Sequence, residues 1–129
     1  LKETAVKLVN RITHLAAEKK AVDTVVLEIG KVSLIADYFV IAGGNNRFQV
    51  QAIADHIAET LKKEGYQLLH REGYAEGLWI LLDYGQVVVH LFQPEERRFY
   101  NLERLWGHAP QAANIPGGYS QELFEPHHR

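Results

Sequence analysis

Asp83 and His90 fit their surroundings least of any residues in the chain. They place a carboxylate and an imidazole inside the otherwise apolar and aromatic stretch GLWILLDYGQVVVHLFQPEERRFYNLERLW, from Gly77 to Trp106. Residues 78–84 and 87–92 are β-branched and aromatic runs separated by Gly85-Gln86, a two-residue loop with glycine first, as a type II′ hairpin requires. With Tyr84 opposite Val87, Ile80, Leu82, Tyr84, Val87, Val89 and Leu91 share one aliphatic face, while Trp79, Leu81, Asp83, Val88, His90 and Phe92 share the other. An unpaired carboxylate or imidazole is costly to bury, so the second face suits contact with a partner. The alternative is that helices cover it and both polar groups are satisfied locally.

Other residues with chemical potential form weaker patterns. Gly43-Gly44 lies between a strand-like and a helix-like segment, where loops can hold phosphate on backbone N–H groups, but no GxxxxGK[ST] or GxGxxG follows. A strand, glycine loop and helix also suggest a nucleotidyltransferase fold. That chemistry needs clustered carboxylates to hold magnesium, and Asp37 and Asp83 are isolated. A tight backbone turn is the simpler role for the two glycines. His14, His56, His70, His90 and His108 are too dispersed for a metal signature, and the adjacent His127-His128 lack a third ligand nearby. Ser33 and Ser120 have no nucleophile-elbow context. Arg97-Arg98 beside Phe99-Tyr100 could stack on RNA bases, or form a solvated salt-bridged face with Glu95, Glu96 and Glu103.

The elements that position these groups follow from periodicity. Ala5, Leu8, Val9, Ile12, Leu15 and Ala16 recur at helical spacing, with Thr4 as the expected cap. Residues 24–29 and 38–42 suit strands, and Asn45 or Asn46 opens a second helix through Val50, Ile53, Ala54, Ile57, Ala58 and Leu61. A weaker strand spans 67–73. After the hairpin, Pro94 starts a short helix in which Phe99, Leu102, Leu105 and Trp106 repeat on one side before Gly107. The order αββαβββα predicts one α/β domain with a mixed sheet of about five strands and the two long helices over one face. It occupies residues 1–108, and the proline- and glycine-bearing remainder, 109–129, reads as an extended or poorly ordered tail.

A chain of 129 residues, 47% hydrophobic and 23% charged, is large enough to bury its own core. Its formal charge of -2 gives no overall basic field for nucleic acid. No apolar run is long enough for a membrane span and no leader pattern is seen, so a soluble protein is expected. The absence of cysteine excludes disulfides and thiolate metal sites.

Five ordered blocks carry a family resemblance: ADYFVIAG from Ala36, QVQAIAD from Gln49, WILLDYG from Trp79, VVHLF from Val88 and YNLERLW from Tyr100. Together they resemble the ribosomal silencing factor family, also called Iojap or RsfS, over about residues 4–110. One loop differs: where the family usually reads G-[T/N]-S-x-[R/K]-[Q/H]-V, this chain has Gly44-Asn45-Asn46-Arg47-Phe48-Gln49-Val50. The resemblance implies a nucleotidyltransferase-like fold without catalysis, cofactor or metal. It further implies a cytoplasmic translational repressor that binds the large ribosomal subunit through ribosomal protein L-fourteen. Steric exclusion of the small subunit then lowers translation under nutrient limitation. Minor contacts to ribosomal RNA and pairing into a homodimer are further options. The candidate partner-binding residues are Trp79, Leu81, Asp83, Tyr84, Val88, His90, Phe92, Arg98 and Tyr100. Two other readings are a nucleotidyltransferase-like enzyme using Asp37 or Asp83 with Gly43-Gly44, and an RNA-binding module using Arg97, Arg98 and the nearby aromatics.

Overall fold

Two amphipathic helices of 17 residues each, α1 (Lys2–Glu18) and α2 (Arg47–Lys63), bury the apolar stripes expected of them in the computed structural model, which describes residues 2–106. Ala5, Leu8, Val9, Ile12, Leu15 and Ala16 of α1 are all buried, as are Val50, Ile53, Ala54, Ile57 and Leu61 of α2. The helix α1 begins before Thr4, which therefore lies inside its first turn and is not its cap. For α2 the cap is Asn46, whose side-chain oxygen accepts the Gln49 N–H at 2.9 Å. Gln49 reciprocates by accepting the Asn45 N–H at 2.7 Å, so two donors at the helix start are satisfied by a variant of the capping box. Asn46→Ala is expected to cost about 1 kcal/mol of stability, read as a shift in the urea midpoint without a change in slope.

The strands are β1 (Val22–Leu27), β2 (Tyr38–Gly43), β3 (His70–Glu72), β4 (Trp79–Asp83) and β5 (Val87–Phe92), with a 3₁₀ turn at Ile29–Lys31. They form one mixed sheet in the order β1-β2-β5-β4-β3. Of its four strand pairs, β2 with β5 is parallel and the other three are antiparallel. In the hairpin, Trp79 pairs with Phe92, Leu81 with His90 and Asp83 with Val88, and the Tyr84 N–H donates to the Val87 carbonyl. Gly85 takes φ +88 at the first loop position, which suits the tight reversal. The weak strand expected over 67–73 contracts to β3, whose three side chains are all exposed.

Both long helices cover the face carrying Val26, Val40, Ala42, Ile80, Leu82, Val87, Val89 and Leu91. The opposite face gathers Val25, Leu27, Phe39, Ile41, Val88 and Phe92 under Leu102 and Trp106. After α3 (Pro94–Tyr100), that cover comes from α4 (Leu102–Leu105) and its C-cap residue Trp106. The single last helix expected from the sequence is broken at Asn101, a left-handed residue (φ 47) whose side chain caps α4 by accepting from the Arg104 N–H. The break separates the expected stripe: Leu102 is buried, whereas Phe99 and Leu105 are exposed. Gly107, His108, His127-His128 and the tail 109–129 lie outside the described residues. Among the described residues, no helix is long and apolar enough to cross a membrane.

Candidate functional site

Cross-strand pairing places Trp79, Leu81, Asp83, Val88, His90 and Phe92 on the sheet face away from the long helices. Around them forms an aromatic cluster. The Trp79 ring stacks on Phe92 with centroids 4.9 Å apart and lies 4.7 Å from Tyr100 of α3. His90 meets Phe39 edge-on at 4.5 Å, and Phe39 meets Trp106 at 5.7 Å. Burial falls from the centre of the sheet outward. Val88, His90 and Phe92 on the inner strand β5 are buried, Trp79, Leu81 and Asp83 on β4 are half-buried, and Arg98 and Tyr100 on α3 are exposed. The face is thus covered over β5 and open over β4.

His90 is 4% exposed and accepts the Trp79 Nε1–H on Nδ1 at 3.1 Å. Its proton therefore belongs on Nε2, which is buried without a hydrogen-bond partner. Burial pushes the imidazole down to about 4, so it is neutral near pH 7. In the unfolded chain it titrates near its ordinary value of about 6.5. The stabilising preference for neutral His90 is present above that value and lost as pH falls toward about 4, because the unfolded state takes up the proton first. Wild-type stability should therefore drop more steeply between pH 6.5 and 4 than that of His90→Phe, measured by urea denaturation at several pH values. Parallel pH profiles would remove His90 as the cause.

Asp83 turns one carboxylate oxygen back to the Gly85 N–H at 2.7 Å, so it helps close the hairpin while staying half-buried. Tyr84 lies on the other side of the sheet, buried in the core beneath the long helices, where burial pushes its phenol up to about 12. The alternation of the strand removes it from the candidate face, a correction to the expected partner-binding set. Arg97 is neither RNA-facing nor solvated. Its Nε–H donates to Glu103 at 2.7 Å, its other end donates to the Asp23 carbonyl at 2.6 Å, and the paired side chains are only 12% and 7% exposed. Phe99, 81% exposed beside Tyr100, adjoins the candidate face, although the sequence offered it only as an RNA-stacking aromatic or as part of the last helix's apolar stripe. Its place in an apparent helical stripe concealed this exposure, and the left-handed-tolerant Asn101 that follows was the available signal.

The groups needed for nucleotide chemistry are not brought together. Gly43 pairs with Phe92 at one end of the sheet. At the other end, Tyr38 pairs with Val87, Asp83 with Val88, and the Asp37 N–H donates to Gln86. The five-residue run along β5 between those ends is roughly 17 Å. A Cβ on Gly44 would come within 2.9 Å of a Val50 methyl, so this glycine lets α2 approach the sheet closely. His56 and His14 both face Glu18, with His56 at 2.7 Å. Among the described residues, no three side chains of metal-binding type converge.

Comparison with known proteins extends these observations. Residues 2–127 match the family described as "Ribosomal silencing factor during starvation", RsfS. The Ribosomal silencing factor RsfS of Halalkalibacterium halodurans is 43% identical over 104 residues, 81% of this chain and 89% of that protein. Its namesake in Bacillus subtilis is 48% identical over 95 residues, 74% of this chain and 80% of that protein. A crystal structure from Bacillus halodurans superposes with a TM-score of 0.74 at 39% identity, covering 82% of this chain and 96% of that one. Family signature, relatives and fold agree, and the chain belongs to the ribosomal silencing factor (RsfS) family.

Proposed function

We propose that this protein is a non-enzymatic translational repressor. It docks on the large ribosomal subunit through ribosomal protein L-fourteen, excludes the small subunit and lowers translation under nutrient limitation. The observation that carries the docking assignment is the half-open aromatic face over β4, where Trp79 is fixed by Phe92, Tyr100 and His90 yet remains accessible. A rigid aromatic anchor beside a carboxylate is common hot-spot chemistry, and Asp83 offers a counter-charge to a basic ribosomal protein. Trp79, Leu81, Asp83 and Tyr100 form the accessible part of this surface, with Arg98 on the same short helix. Val88, His90 and Phe92 support it from below. Family membership supports the ribosomal partner, and the separation of Gly43-Gly44 from Asp37 and Asp83 disfavours the nucleotidyltransferase reading. The action is cytoplasmic.

A blocker of joining must discriminate between free and joined subunits. On sucrose gradients, purified protein is expected to cosediment with free large subunits and to reduce the joined-ribosome peak when small subunits are added. Equal binding to large subunits and intact joined ribosomes would refute exclusion. Loss of cosedimentation after RNase treatment of naked ribosomal RNA, with no binding to the ribosomal protein, would favour the RNA-binding alternative.

A further inference from the structure

Beside the Trp79 face, where β4 meets α3, lies an open groove of about 540 Å³, within the size range of small-ligand sites. Trp79, Phe99 and Tyr100 supply its aromatic walls, with Phe99 and Tyr100 edge-to-face at 5.0 Å. Glu76, Glu95 and Glu96 line it as well, and no cationic side chain does. None of these three carboxylates forms an ion pair with another described residue.

We infer that this groove is a receptor for an arginine side chain presented by a basic protein segment. The inference rests on the docking reading above and deepens it by naming the partner chemistry. Exposed aromatic walls beside carboxylates call for a ligand with a flat, cationic surface, and guanidinium provides one that stacks on rings while its edge donates to carboxylates. Unpaired negative charge along the walls makes the groove hostile to phosphate, which excludes a nucleic-acid backbone as its occupant. A lysine ammonium would satisfy the charge but leave the ring faces less well used, because it is a compact and strongly hydrated ion. An aliphatic side chain would use the rings and leave the carboxylates without a partner. Arginine alone answers both halves of the lining.

The test uses the intact chain, ¹⁵N-labelled, titrated with an acetylated Gly-Arg-Gly peptide and with the same peptide carrying citrulline, the uncharged isostere. Saturable shifts at Trp79, Phe99 and Tyr100 are expected with the arginine peptide, weakening with salt, and no saturable response with citrulline. Glu95→Gln with Glu96→Gln, or Phe99→Ala, should reduce the arginine affinity about fivefold or more. These groups contribute little to the core, so the variants remain folded. Equal response to the two peptides, or none to either, overturns the inference. Sedimentation with large subunits is scored separately. A wild-type chain that cosediments but ignores arginine refutes the groove and leaves the docking reading standing. One that binds arginine but no subunit does the reverse.

Discussion

Trp79→Ala is expected to weaken large-subunit binding by about 2 kcal/mol or more, roughly 30-fold, and Asp83→Lys is expected to weaken it further. The double variant should not cosediment at all. Truncation removes the one large side chain that is both accessible over β4 and held in a single orientation by Phe92, Tyr100 and His90. Reversal of charge at Asp83 replaces attraction to a basic partner with repulsion, and also removes the acceptor of the Gly85 N–H. Some loss of melting temperature therefore accompanies each change, and binding must be measured at a temperature where circular dichroism shows the native fold. Leu82→Ala supplies the opposite control. Leu82 is fully buried beneath the long helices, so its truncation should cost about 2–5 kcal/mol of stability while the folded fraction still binds. Undiminished binding by a folded Trp79→Ala, Asp83→Lys double variant would place the docking surface elsewhere.

Arg97→Ala should destabilise the chain by about 3–5 kcal/mol, the range for removing one partner of a buried ion pair. The guanidinium joins three parts of the fold: it lies on α3, pairs with Glu103 of α4 and donates to the Asp23 carbonyl of β1. Without it, the Glu103 carboxylate is left buried and unpaired, with its other oxygen already lacking a partner. Adding Glu103→Gln should restore part of the loss, because a neutral amide costs less to bury than an unpaired charge. Arg97→Lys should rescue poorly, since a single ammonium cannot reproduce the fork that reaches both acceptors. The check is urea denaturation of the three variants. A loss below about 1 kcal/mol in Arg97→Ala would mean that the pair behaves as a surface bridge. Release of α3 and α4 would also disturb Tyr100, so ribosome binding should weaken in the same variant.

Local patterns made the hairpin and long helices legible. Two β-branched runs around Gly85-Gln86 specify the register that sorts Trp79, Asp83 and His90 from Ile80, Leu82 and Val89, and the structure keeps that division. The apolar stripes of α1 and α2 likewise predict which residues lie beneath them. What covers the second face was not legible, because the turn at Asn101 sets which side chains of the last segment, Leu102 and Trp106, fold back onto Phe39 of β2 and the hairpin strands. Arg97 was misread because its Asp23 acceptor is 74 residues away, beyond the reach of a helix-face argument. Glu95 and Glu96 were interpretable as favourable charges at a helix start, while their position along an aromatic groove depends on how α3 rests against β4.

The Arg97 contacts also bear on the borders of the sheet. A sheet with a free border can template the addition of a strand from another chain. Here one border is β1, whose pairing slips between Val22 and Val25, where Asp23 adopts φ 52 and its carbonyl is occupied by Arg97. The other is β3, three residues long and bearing exposed His70, Arg71 and Glu72, with the imidazole and carboxylate paired to each other. One border is thus kinked and partly capped, and the other is short and charged. Growth of the sheet from molecule to molecule is disfavoured at both of these described borders, which favours side-chain surfaces over backbone pairing for contacts with other macromolecules.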